Sequence, residues 1–122
     1  MDIVRKLAVI FGVAFIAAGI AGFIPGLVTD GNLLLGIFEI DSMHNGVHLL
    51  SGIIALVSAT QFSYARLYFQ VFGVIYTIVA ILGFITEGNM MHMNMADNLL
   101  HLVIGIASLY IGFVLSKSIE SR

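Results

Sequence analysis

Leu67-Tyr68-Phe69-Gln70-Val71-Phe72-Gly73-Val74-Ile75-Tyr76-Thr77-Ile78-Val79-Ala80-Ile81-Leu82-Gly83-Phe84-Ile85-Thr86 runs for twenty residues without a charged side chain. A helix needs about 20 apolar residues to cross the hydrocarbon of a bilayer, and a helix satisfies its own backbone hydrogen bonds there. Three more stretches read the same way, at about 4–24, 42–60 and 96–116. The composition agrees: 60% of the 122 residues are hydrophobic and 10% charged, where a soluble domain carries about a quarter charged residues. The expectation is an all-α membrane protein, a single transmembrane domain over 1–122 with four spanning helices. The first stretch resembles a signal peptide in having Arg5 and Lys6 before an apolar run with small residues at Ala17, Ala18 and Ala21. It is long for a signal core, however, and it aligns with the third stretch.

That alignment has an offset of 61. Phe11-Gly12-Val13 and Gly22-Phe23-Ile24 fall on Phe72-Gly73-Val74 and Gly83-Phe84-Ile85, and Arg5 falls on Arg66. Between the second and fourth stretches the offset is 53: Asn45, His48, Leu49, Gly52, Ile53 and Leu56 fall on Asn98, His101, Leu102, Gly105, Ile106 and Leu109. The difference is absorbed by a longer first outer loop, where insertions are tolerated. A tandem two-helix repeat, about 4–60 and 65–116, predicts a bundle with pseudo-two-fold symmetry along the membrane normal. Small residues such as Ala14, Ala18 and Gly22, or Gly52, Ala55 and Ala59, are expected to let helices approach closely.

All five basic residues, Arg5, Lys6, Arg66, Lys117 and Arg122, lie at the termini or between the second and third stretches. The positive-inside rule makes those regions cytoplasmic. The other two loops and the following helix starts hold Asp30, Glu39, Asp41, Glu87 and Asp97. Both termini are then cytoplasmic in a multi-pass inner-membrane protein with an acidic outer face. No basic surface or motif suits nucleic acid. The expected partners are the lipid bilayer and, on the outward helix faces, another membrane protein or a second copy of the chain. The chain has no cysteine, which excludes disulfides and thiolate ligands.

The polar residues of the spans gather at the outer end. Asp41 or Ser42 is placed to cap the second helix and Asn94 the fourth. His44 and His48 then share a face, and Asp97 and His101 hold the repeat-equivalent places. Three imidazoles and a carboxylate suit a divalent metal, zinc above all. Asn45 and Asn98 are expected to orient those ligands by hydrogen bonds. Three other readings compete: a metal-free polar network locking two helices together, bis-histidine haem ligation by His48 and His101, and a zinc-dependent lipid hydrolase with an open coordination position. Ionisable groups within spans favour function, yet no recognisable nucleophile, phosphate loop or carboxylate pair marks an enzyme. Ser51 borders the site as a helix-packing serine. In the second outer loop Met90, Met91, His92, Met93 and Met95 form a run of soft ligands that suits copper(I), or else an apolar loop filled by methionine.

The segment Phe38-Glu39-Ile40-Asp41-Ser42-Met43-His44-Asn45-Gly46-Val47-His48-Leu49-Leu50, with Ala65-Arg66-Leu67-Tyr68 and Asp97-Asn98-Leu99-Leu100-His101-Leu102, resembles a widespread family of small bacterial four-helix membrane proteins catalogued as a domain of unknown function. The resemblance extends over nearly the whole chain, Gly22-Phe23-Ile24-Pro25-Gly26-Leu27 included. Its most specific part is His-Asn-x-x-His followed by Asp-x-x-x-His, at His44, Asn45, His48, Asp97 and His101. It implies the architecture and points to these residues without implying a reaction. The methionine run is not part of it.

Overall fold

A computed structural model describes residues 1–86 and 93–120. The protein is mostly helical. Helix α1 spans Ile3–Ala21, α2 Ser42–Ser58, α3 Phe62–Ile85 and α4 Met95–Leu109; the last continues through a π-helical stretch, Tyr110–Leu115, into α5, Ser116–Glu120. Three of these rods are long and apolar enough to cross a membrane: Ile3–Ala21, Phe62–Ile85 and Met95–Glu120. At 17 residues, α2 is shorter.

Burial shows what solvent the fold is built for. A third or less of each of the three long spans is buried, and the outward residues are large and apolar, among them Ile10, Val13, Val74, Ile78, Val103 and Phe113. Inside lie small or polar residues: Ala8, Ala55, Ala65, Ala80, Ser108 and Asn98. Lipid removes the hydrophobic drive between helices, so close backbone packing replaces it.

Glycines set that packing. A Cβ on Gly12 would strike Leu56, one on Gly52 would strike Ile16, and one on Gly22 would overlap the Asn45 side chain. On the other side a Cβ on Gly73 would strike Leu109, one on Gly105 would strike Thr77, and one on Gly83 would overlap Asn98. These three glycine contacts of the first helix pair thus recur in the second at the offsets of 61 and 53. The small-residue expectation needs correction on α1, where the approach is made at Gly12 and Gly19 while Ala14 is exposed. Seven residues make nearly two turns, so Gly12 and Gly19 share the face that Ala14 leaves.

The arginines tie the opposite ends of the helix pairs. Arg5 donates from Nε to the carbonyl of Ala59 at 2.7 Å, and from its guanidinium to that of Thr60 at 3.1 Å. These carbonyls end α2 and lack helical partners. Arg66, at the matching place, pairs with Glu120 at the end of α5. Between them is an apolar cluster of Val4, Ala8, Ala59, Ala65, Phe69 and Ile111. The π-helical stretch exposes the carbonyl of Gly112, which accepts from Gln70 Nε2 at 2.9 Å and Ser116 Oγ at 2.5 Å.

At the other end the long first loop folds into a three-stranded antiparallel sheet: β1 Val28–Thr29, β2 Leu33–Leu34 and β3 Phe38–Glu39. Left-handed Gly31 and Gly36 occupy its turns, a backbone conformation that suits glycine. Asn94 Nδ2 donates to the carbonyl of Ile37 at 2.8 Å, which fixes the sheet to the start of α4.

Candidate metal centre

The site begins with two helix caps. Asp41 accepts from the amide of His44 at 2.7 Å and starts α2; Asn94 accepts from the amide of Asp97 at 2.9 Å and starts α4. His44 and Asp97 therefore hold the same third position of their helices, and there the two side chains part. The Asp97 carboxylate turns back to accept from the Asn94 amide at 3.0 Å, closing a capping box. At His44 no such bond is made, and the ring packs against His48 and His101 instead.

His44, His48 and His101 come together. Ring centroids are 4.4 Å apart for His44 and His48, 5.6 Å for His44 and His101, and 6.2 Å for His48 and His101. One nitrogen from each ring lies within 4.8 Å of the others. By strict hydrogen-bond geometry both nitrogens of His44 and Nδ1 of His101 are buried without a partner among the described residues, the Glu39 backbone being the group nearest to bonding His44. Leaving a buried polar group unpaired costs about 1–3 kcal/mol. Two aromatic walls enclose the rings: Phe15 lies 5.6 Å from His48, and Tyr76 lies 5.4 Å from His101.

The other expected residues are placed elsewhere. Asp97 is not part of the imidazole group, its carboxylate being engaged in the cap. Asn45 and Asn98 press on Gly22 and Gly83, so they meet the backbones of α1 and α3 rather than orienting an imidazole. Met90, Met91 and His92 lie outside the described residues. Of the two remaining methionines of that run, Met93 is buried beside the histidines and Met95 is 60% exposed.

Sequence reasoning missed two residues. Tyr76 OH shares a 3.1 Å hydrogen bond with Ser51 Oγ, and Tyr68 OH donates to the Ser51 carbonyl at 3.1 Å. Tyr76 falls on Phe15 at the offset of 61, a hydroxyl where the aligned position is apolar. That contrast was the available signal.

Beside the histidines lies a cavity of about 570 Å³ between α2 and α3. Its polar end is Asp41, His44, His48, His101, Ser51 and Tyr76; its remaining wall is largely apolar, including Val47, Leu50, Ile54, Ile75 and Val79.

A family model described as Domain of unknown function (DUF4383) matches residues 5–114. No curated protein and no solved structure matches the chain.

Proposed function

This chain belongs to the DUF4383 family, and from that premise, which supplies no activity, we propose a non-enzymatic four-span membrane protein that holds a divalent transition metal, zinc in kind, on His44, His48 and His101. The observation that carries the reading is the convergence of three imidazole nitrogens, from α2 and α4, within 4.8 Å. Tetrahedral zinc with bonds of about 2.0–2.1 Å needs nitrogens about 3.3 Å apart, a contraction within reach of small ring rotations. Buried imidazole nitrogens without partners among the described residues are the atoms such an ion would satisfy. His44 sits against both other rings, in space that a porphyrin ligated by His48 and His101 would need, which favours an ion over haem.

In this reading α2 is the fourth span. Its 17 residues rise about 25 Å, close to the hydrocarbon thickness of about 30 Å once the flanking caps are included. The matched glycine contacts support a pseudo-two-fold relation between the α1–α2 and α3–α4 pairs. Arg5 and Arg66 bind at the end opposite the sheet, so the positive-inside rule puts the sheet and the metal at the outer leaflet of the inner membrane, with both termini cytoplasmic.

Metal analysis of protein purified without a histidine tag tests the reading. About one zinc per chain is expected, lost in the His48→Ala/His101→Ala double variant; equally little metal in both sinks it. The cavity favours a second reading, a zinc hydrolase acting on a lipid, since it leads from an apolar wall to an ion with an open position. Zinc-loaded protein that leaves ester lipids intact disposes of that alternative.

A further inference from the structure

We propose that the cleft between α2 and α3 takes a long-chain carboxylic acid from the bilayer, with its carboxylate on the metal and its chain along the apolar wall. The inference rests on the metal reading and adds the class of ligand.

Three observations lead to it. First, the wall is continuous with the lipid-facing surface: Leu50 is 58% exposed and Ile75 46%, yet both line the cavity. A ligand can therefore enter sideways from the bilayer. The volume, about 570 Å³, falls in the range of sites for one small ligand and suits one acyl chain rather than two.

Second, the three imidazoles themselves bring no negative charge. Three neutral imidazoles leave the charge of a divalent ion uncompensated, and a buried charge needs a partner. Among the described residues the carboxylates of Asp41, which lines the cavity, and Glu39 act on His44, and that of Asp97 accepts from the amide of Asn94; none of them acts on His48 or His101. His101 is 3% exposed, lines the cavity, and has Nδ1 without a partner among the described residues. An incoming carboxylate would fill the fourth tetrahedral position and neutralise half the charge.

Third, a hydrogen-bond donor stands beside that position. Ser51 Oγ and Tyr76 OH share one bond, and two hydroxyls carry two hydrogens. One hydrogen remains to donate to the second carboxylate oxygen, a charge-assisted bond.

Binding of radiolabelled palmitate to the full chain in a non-ionic detergent micelle, with zinc content measured on the same samples, tests this. Zinc loading is expected to raise specific palmitate binding at least about tenfold over chelator-stripped protein, the size of losing a bond to a charged group. Hexadecanol and hexadecyl phosphate should compete poorly. Tyr76→Phe should weaken palmitate several-fold with zinc unchanged. Ile75→Trp, and Leu50→Trp as a second obstruction should the first misfold, should abolish palmitate binding while zinc stays. Zinc-loaded protein that binds palmitate no better than stripped protein, prefers the alcohol or the phosphate, or keeps palmitate in a folded tryptophan variant, overturns the ligand and leaves the metal standing. Protein that takes up no zinc overturns both.

Discussion

Phe15 and Tyr76, which hold the same place in stretches offset by 61 residues, pack on each other with ring centroids 5.4 Å apart. Each also faces one histidine of a matched pair, Phe15 facing His48 and Tyr76 facing His101. Residues equivalent by repeat meet at short range when they lie near an axis relating the halves. In the proposed two-fold arrangement the metal would sit beside the axis, with His44 departing from the symmetry because Asp97 stands in its place on α4.

This asymmetry separates the roles of His44 and Asp97. Asp97→Asn should keep full zinc content, since the carboxylate serves the helix start, and should cost about 0.3–1 kcal/mol of stability through the negative charge lost there. His101→Ala should lose most of the metal. Zinc lost from Asp97→Asn to the same extent, by metal analysis of folded protein, would return the aspartate to the ligand set.

Glycine packing predicts a matched pair of lesions. Gly22→Ala and Gly83→Ala each drive a methyl into an asparagine side chain, and overpacking costs about 1–3 kcal/mol. Gly26→Ala meets nothing within 4 Å and should be silent. Denaturation in mixed micelles reads the three variants; equal stability of Gly83→Ala and Gly26→Ala would remove the close-packing account.

Three of the spans and the helix caps at Asp41 and Asn94 could be read in advance because each follows from local pattern: apolar length, and a short polar residue before a helix. The capping box was also visible as Asn94-x-x-Asp97, but a carboxylate one turn before His101 invites a ligand reading more readily than a cap. Asn45 and Asn98 were misplaced for a different reason. Their contacts with Gly22 and Gly83 depend on how two helices rotate against each other, which no single-helix periodicity specifies. The strands of the sheet, two residues each, are too short for alternation to register. The Ser51–Tyr76 bond joins positions 25 apart and needed the packing of α2 on α3.

Zinc should stabilise the fold by mass action. A ligand that binds only the native state adds about 2.7 kcal/mol at one hundred times its dissociation constant. Thermal unfolding followed by helical signal should therefore shift upward with added zinc and downward with chelator, and the His48→Ala/His101→Ala variant should respond to neither. An unchanged midpoint in wild type would favour a metal-free polar network whose only task is to hold α2 and α4 together.

The four-span reading of α2 makes a topological prediction that the absence of cysteine renders simple to check. Asp30 and Gln61 are both exposed, one in the turn between β1 and β2 and the other just before α3. If α2 crosses the bilayer, single cysteines at these sites lie on opposite sides: Asp30→Cys should react with an impermeant maleimide added outside intact cells, and Gln61→Cys only after the membrane is opened. If α2 lies in the interface instead, both react from one side, Arg66 leaves the cytoplasmic set, and the orientation inferred from the basic residues fails with it.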